Sequence, residues 1–516
     1  MVGKNERFSS EPVALACDGK SFNWNISHHE YSTSGTSLAT GRCGPECEIA
    51  LTSHCMIPKS IPFLAASKSR TKLRQELTRI ERFEKRRGRS RLRRADHDHE
   101  HDAKRAMAES SQIILAINAG SSSLKITLFE EKGKKLSSLA NCEISAINQP
   151  PAKRKYKCGD NKISDEVDVK SHEDAFEHCL KAFLDEKELS QVKGPESITY
   201  ACHRVVHGGD FTEDQLITTE TFHKIEKLED LAPLHNASAV TIIKSSFKQL
   251  PNAKQVACFD SVFHHTLPKE VFSYAIDQKI ATEKGLRKYG FHGISYKYIL
   301  RAVSKHLGKD QSQTSILALH LGSGASMCAI KNGESIDTTM GLTPVSGLPG
   351  GSRSGDVDPS LIFHFTSDAS ALSQSSTSEL HISRAEDILN KQSGWKALTG
   401  TSNFAEIAAK DAPDTHKLAL DIFVDRIVGY AGNYFVKLGG QLDAVVFAGG
   451  IGEKSAMLRQ IVIDRCACLG FEIDSSKNEK PGDGAVLDIG KGGKIRTLTC
   501  ETDEEVSIFC SWRTGR

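Results

Sequence analysis

The strongest constraint on how this chain can fold is a repeat inside it. "ILAINAGSSSLKITLF" (Ile114 to Phe129) lies without a gap over "ILALHLGSGASMCAIK" (Ile316 to Lys331). Ile114/Ile316, Leu115/Leu317, Ala116/Ala318, Gly120/Gly322 and Ser121/Ser323 coincide. Each copy reads as an apolar strand, a turn of small residues and a second strand. Chance matches of one hairpin are common, but ungapped identity at the turn glycine and serine favours duplication. Two similar α/β domains are therefore expected, each offering a small-residue hairpin to a shared cleft.

A chain of 516 residues exceeds one ordinary core, which fits two domains. From Gln112 onward apolar strand runs alternate with glycine-rich turns and amphipathic helices, a mixed α/β pattern. Helices are expected at Glu173–Leu184, His223–Leu228, Ile294–Leu307 and Thr415–Leu438, and after "AGGIGEKSAMLRQIV". The expected domains are residues 111–265, with 505–516 as a candidate completion, and 266–504, carrying a Ser-rich insertion at 367–379.

Residues 1–110 have a different composition. Ser/Thr/Gly/His-rich text precedes "RFEKRRGRSRLRRADHDHEHDAKR", whose basic run is a candidate for nucleic acid and whose His/Asp tract is one for metal. The composition reads first as a solvated extension, with the folded unit starting near Met107. A formal net charge of +2 gives no general case for nucleic acid or acidic membranes as partners. No run of about 18 apolar residues is present. The 14 cysteines include no CxxC pair and read as reduced thiols of an intracellular protein. "MVGKNERFSSEP" lacks the apolar core of a secretory signal, so a cytoplasmic location is expected.

The turns point to chemistry. Small residues let a backbone approach a ligand closely, and successive N–H groups make an anion-binding concavity. Lys125 adds positive charge at the edge of the first hairpin, and Asn118 adds a neutral oxygen suited to a metal-bound water. A plain tight hairpin with a solvated lysine explains one copy equally well. GxxxxGK[ST] is absent. A third cluster, "LDAVVFAGGIGEKSAMLRQIV", is strand, glycine turn and helix, which sets free helix amides beside the turn. Arg204 in "CHRVVHGGD" and Arg353 in "GLPGGSRSGDVDP" match planar carboxylates or phosphates, or else form surface ion pairs. Asp260 in "ACFDSVFHH" ends an apolar strand, and His292 in "RKYGFHGIS" sits between Phe291 and Gly293. Histidines 203, 207, 235, 264, 265 and 320 read mostly as structural groups. Glu504 and Glu505 in "ETDEEVS" offer a carboxylate for Mg²⁺ through water, or a solvated acidic turn.

"INAGSSSLK", "HRVVHGG", "APLHN", "FDSVFHHTLP", "RKYGFHGIS", "GLTPVSGLPGGSRSGDVDP", "AGGIGE" and "TDEE" stand in the order found in acetate kinases. The chain resembles that family from about Ile113 to Val506. The resemblance implies the fold shared with sugar kinases, actin and the heat-shock ATPases: two duplicated actin-like, ribonuclease-H-like domains around a central cleft. It also implies ATP and Mg²⁺, reversible phosphoryl transfer to acetate giving acetyl phosphate and ADP, and a homodimer with no nucleic acid or membrane partner.

By the same resemblance Asp260, His292 and Arg353 are the catalytic groups, and Asn118 and Glu504 lie on the metal side. Arg204 would bind the acetate carboxylate, and Val206, Leu234, Phe291 and Pro344 its methyl group. Ser121, Ser123 and Lys125 would meet nucleotide phosphate, together with His320, Leu321, Gly322, Ser323 and Gly324. Asn403, Phe404 and Ala405 would lie near adenine, and Gly450, Ile451, Gly452, Glu453 and Lys454 would form the nucleoside loop. A kinase for propionate, one using pyrophosphate, and a non-catalytic nucleotide-binding protein are the alternatives.

Several positions depart from the family pattern. Ser323 replaces its usual Asn. Ile294 and Tyr296 replace Thr and His beside His292, which alters the support expected for that ring. Asn403 and Ala405 replace Asp and Arg near the adenine, which leaves room for another donor. The chain stops at Arg516, so a shortened terminal helix is expected.

Overall fold

The computed structural model describes residues 111–514 apart from 134, 148, 150, 231 and 377–381. The expectations for residues 1–110 and for the end of the Ser-rich insertion lie outside the described residues.

Two sheets carry the fold. In the first, β1 (Gln112–Ala119), β2 (Ser123–Lys132), β3 (Lys135–Ser145), β4 (Ala152–Cys158), β5 (Asn161–Val167), β6 (Ile198–Val205), β7 (Gln215–Leu216) and β8 (Lys254–Phe259) take the order β5-β4-β3-β2-β1-β6-β8-β7. In the second, β9 (Ile316–Leu321), β10 (Ala325–Lys331), β11 (Glu334–Thr338), β12 (Ala444–Ala448), β13 (Val486–Asp488) and β14 (Arg496–Cys500) take the order β11-β10-β9-β12-β14-β13. The repeat thus extends beyond the hairpin. β1 pairs antiparallel with β2 and parallel with β6, and β9 pairs antiparallel with β10 and parallel with β12. Each sheet closes with a parallel strand and a short antiparallel edge.

Covered sheets need strands apolar on both faces, which is why β1 and β9 read as continuous apolar runs rather than alternating ones. Successive residues serve opposite faces. Leu115 and Ile117 pack with Phe176 and Phe183 of α1 (His172–Leu184), while Ile114 and Ala116 pack with Ile508 and Phe509. In the second sheet Leu317 and Leu319 face Phe423 and Ile427 of α5 (Asp414–Lys437). Ile316 and Ala318 face Tyr296, Ile299, Leu300 and Val303 of α4 (Gly293–Leu307).

The two halves exchange helices. Helix α4 follows β8 of the first sheet but covers the second. Helix α8 (Glu504–Thr514) follows β14 of the second sheet but covers the first, where Ile508 and Phe509 are buried. The first turns of both crossing helices meet, with Ser295 Oγ of α4 donating to Glu504 Oε1 of α8 at 3.4 Å.

Most expected helices are present. Helix α2 (Thr219–Lys227) starts four residues before the expected His223, because Thr218 and Thr221 form a capping box. Helix α3 (Pro233–Gln249) was not expected: its small and hydroxyl residues give a weak apolar stripe, and Pro at its first turn is the only start signal. The glycine cluster builds α6 (Gly449–Lys454) and α7 (Ala456–Arg465). Helix α8 runs 11 residues. Its opening carboxylates do not form a solvated turn, since Glu505 is 4% exposed. The cysteines described are free thiols, and no helix among the described residues is long and apolar enough to cross a membrane.

Candidate active site

The first hairpin closes with a hydrogen bond of 2.8 Å from Gly120 N–H to the Ser123 carbonyl. The imidazole of His172 bonds the Gly120 carbonyl at 2.7 Å, and Ser121 and Ser122 are exposed. On the second hairpin, a Cβ at Gly324 would stand 2.9 Å from Nη1 of Arg353. Glycine there lets the guanidinium lie against the turn. The loop carrying Arg353 docks through backbone contact as well: Gly351 N–H donates to the Ser323 carbonyl at 2.8 Å.

A network of charges joins the halves. Arg204 at the end of β6 donates from Nε and Nη2 to the two carboxylate oxygens of Asp260, at 3.0 and 2.7 Å. Its Nη1 reaches Glu504 Oε2 at 2.9 Å and the Asn118 side-chain oxygen at 3.1 Å. Asn118 Nδ2 in turn donates to Glu504 Oε2 at 2.8 Å. Burial alone would raise Glu504, but Arg204, His320 and Asn118 outweigh it and hold its carboxyl below the usual range. Lys125, expected at phosphate, is tied to Glu505 at 2.9 Å, and this pairing raises its pKa against the opposing effect of burial. Behind Arg204, Asn236 of α3 brackets the "HGG" turn with bonds to the His207 N–H and carbonyl, 2.9 and 3.0 Å.

Asp260 and His292 are locked to each other through backbone. Gly293 N–H donates to the Asp260 carbonyl at 2.9 Å, and a Cβ at Gly293 would fall 2.0 Å from that oxygen. His292 caps α4 in the left-handed region, φ 59°. Its ring stacks near His320 with centroids 4.3 Å apart, and Nδ1 lies 2.8 Å from Ser326 Oγ. Burial, then His320, Arg204 and Arg353, push His292 well below its ordinary value. Burial lowers His320 too, and its Nδ1 is buried without a hydrogen bond.

Arg353 is the exception in this network. Its guanidinium forms no hydrogen bond or ion pair with another described residue, and burial followed by repulsion from Arg204 lowers its pKa to about 10. An arginine so placed is a desolvated cation facing a cleft without a counter-charge.

Val206 and Phe291 join Tyr289, Met340 and Leu342 in one apolar cluster. Leu234 lines a cavity of about 110 Å³ with His235, Thr343 and Val345, the last two flanking buried Pro344.

A cavity of about 560 Å³ opens beside the second hairpin, lined by Ser323, Ser402 to Ala405, Gly450, Ile451 and Lys454 among others. Asn403 spends its side chain locally, accepting from Ala405 N–H at 3.1 Å and donating to Glu406 at 2.8 Å. Glu453 Oε1 accepts from Thr502 N–H and Oγ1 at 3.0 and 2.9 Å. This ties the glycine loop to the residues just before Glu504. Arg459, 1% exposed, holds the Gly452 and Glu453 carbonyls at 2.9 and 2.7 Å. Nothing in its helix text distinguishes it from a surface arginine. Ser326 was also missed, for its partners His292 and Tyr296 are remote in sequence.

Among the described residues no group of three or more His, Cys, Asp or Glu could hold a metal alone. The Glu504 carboxylate beside the Asn118 side-chain oxygen is a sparse set of hard oxygen donors. Such a set fits an ion that keeps waters and substrate phosphate oxygens as its other ligands.

A duplicated α/β fold with small-residue turns, two arginines and paired carboxylates around one cleft defines a phosphotransferase of the actin-like class. The chain belongs to the acetokinase family, whose model matches residues 113–510. It is 54% identical over 412 residues to a probable acetate kinase of Emericella nidulans, covering 78% of this chain and 98% of that one. It is 37% identical over 399 residues to an acetate kinase of Clavibacter michiganensis, covering 77% and 97%. Among solved structures it resembles acetate kinase from Porphyromonas gingivalis, TM-score 0.67 and 34% identity, over 78% of this chain and 99% of that one. It is equally close to a propionate kinase from Francisella tularensis, TM-score 0.69 and 35% identity, with the same coverage.

Proposed function

We propose that this protein transfers the γ-phosphoryl group of ATP reversibly to acetate, giving acetyl phosphate and ADP. The observation that carries this reading is Arg353, a half-buried cation whose guanidinium has no partner among the described residues, packed on the turn of the second hairpin. Holding that charge out of water is unfavourable unless an anion neutralises it in the working complex. Arg204 and neutral His292 and His320 line the same space, and the exposed serines of the first hairpin complete it.

In the reaction an acetate oxygen forms the new O–P bond while the bond from phosphorus to the β-phosphate oxygen breaks, and ADP leaves. Acetate is already ionised, so no base need remove a proton. The chain's work is to align two anions and to meet charge on the equatorial oxygens. Arg204 would hold the carboxylate, with Val206 and Phe291 against the methyl group, and Asp260 would orient Arg204. His292 and Arg353 would donate to the transferring group. Asn118 and Glu504 would hold Mg²⁺, which supplies charge neutralisation at the phosphates. Glycine-loop and hairpin amides would cradle the nucleotide. The cavity of about 560 Å³ favours a nucleoside-bearing donor over pyrophosphate, for which it has no use.

An acyl-phosphate trapping assay with hydroxylamine, run across ATP and pyrophosphate against acetate and propionate, tests this reading. The highest signal is expected with ATP and acetate. Signal with pyrophosphate alone would refute the donor, a preference for propionate would refute the acceptor, and nucleotide binding without any acyl phosphate would favour a non-catalytic protein.

A homodimer and a cytoplasmic location belong to the same proposal. The segment Leu361–Phe365 exposes Phe363 (72%) and Phe365 (65%), an apolar face that a second copy would cover. Light scattering should give twice the chain mass, falling to one chain in Phe363→Ser/Phe365→Ser. A monomeric wild type would overturn this assignment.

A further inference from the structure

We infer that Tyr296 and Ser326 form a two-hydroxyl chain that fixes the tautomer of His292, making Tyr296 a positioning residue for phosphoryl transfer. The role given to His292 rests on the proposed function; the tautomer does not.

The phenol oxygen of Tyr296 lies 2.5 Å from Ser326 Oγ, and Ser326 Oγ lies 2.8 Å from His292 Nδ1. Tyr296 and Ser326 are each 0% exposed. The three residues come together by construction. Tyr296 is one helical turn beyond His292, its N–H donating to the His292 carbonyl at 3.0 Å, and Ser326 lies on β10 opposite His320 of β9.

The direction of the chain follows from elementary acidity. A phenol is a better donor and a poorer acceptor than an aliphatic hydroxyl. Ser326 is the one side chain among the described residues that bonds the Tyr296 hydroxyl. If Ser326 donated to Tyr296, the phenol hydrogen would be buried without an acceptor, an arrangement that folded proteins avoid. Tyr296 therefore donates to Ser326, and Ser326 spends its own hydrogen on Nδ1 of His292. A neutral imidazole that accepts at Nδ1 carries its hydrogen on Nε2. Burial keeps the ring neutral, and Nε2 has no hydrogen bond to another described residue. The result is a donor of fixed direction that meets an equatorial phosphoryl oxygen without giving up its proton.

Packing alone does not account for the tyrosine. Its ring stacks on Phe263 at 6.3 Å and meets His264 edge-on at 5.7 Å, contacts a phenylalanine would keep. Only the hydroxyl serves His292.

The test uses the full chain with Tyr296→Phe, Ser326→Ala and His292→Gln, singly and combined. Tyr296→Phe should lower kcat about tenfold with KM for acetate and ATP changed by less than about twofold and Tm held. Adding it to Ser326→Ala or to His292→Gln should cost nothing further, because the chain is already broken. An unchanged kcat in Tyr296→Phe, or additive losses in the double variants, would overturn the inference. A second readout needs no turnover. In ¹⁵N-histidine-labelled protein, the long-range ¹⁵N–¹H signal lost in His292→Gln should show hydrogen on Nε2, and both tautomers in Tyr296→Phe. Hydrogen on Nδ1 in the wild type would overturn the inference whatever the activity. Nε2–H in a protein inactive with every donor and acid would leave the tautomer standing and remove the proposed reaction.

Discussion

Arg353→Ala is expected to lower kcat by about 10²–10³-fold while changing the apparent affinity for ATP by less than about threefold. The guanidinium makes no bond that the resting protein needs. Its position over Gly324 and its lowered pKa, about 10, show a cation desolvated beside a second cation, Arg204. Such a group gains most when charge develops on the transferring phosphoryl, which places its contribution in the transition state. Stability gives an independent reading. Removing a half-buried unpaired charge should leave Tm unchanged or raise it, the usual trade of stability against activity. Equal losses in turnover and in ATP affinity would contradict the role, and a large fall in Tm would show a structural bond where none is drawn.

Arg204→Ala should behave in the opposite way. It should raise KM for acetate strongly and also destabilise the fold by about 3–5 kcal/mol. Arg204 binds both oxygens of Asp260, which is 1% exposed, and reaches Glu504 from the far half of the chain. Without it two carboxylates face each other with little compensation. Arg204→Lys keeps the charge but not the fork, so it should recover much of the stability and little of the acetate affinity. An alanine variant with unchanged Tm would show that the network is not holding the halves together. Unchanged acetate dependence would remove Arg204 from the substrate site.

The contrast between these arginines was not legible in the sequence. Both sit in short glycine-flanked motifs, and each reads equally as a ligand group or a surface ion pair. The difference lies in partners 56 and 300 residues away for Arg204, and in none among the described residues for the Arg353 guanidinium. The same holds for Lys125, whose local text suggests phosphate but whose present partner is Glu505, 380 residues on.

Local signals did carry a great deal. Ile114–Phe129 and Ile316–Lys331 announce two buried strands with small-residue turns, since strands covered on both faces must be apolar throughout and close ligand approach needs glycine and serine. Helices α1, α4 and α5 were legible in the sequence, α3 was not, and Tyr296 stood out as a residue at odds with its motif. These features depend on neighbours a few positions apart, which a linear text contains. Which sheet a helix covers depends on contacts across hundreds of residues. The exchange of α4 and α8 between the halves, the meeting of Asn118, Arg204, Asp260 and Glu504, and the hydroxyl chain behind His292 were therefore decided by tertiary structure alone. Burying both faces of both sheets brought those groups together, and removing them from water made their charges and tautomers matter.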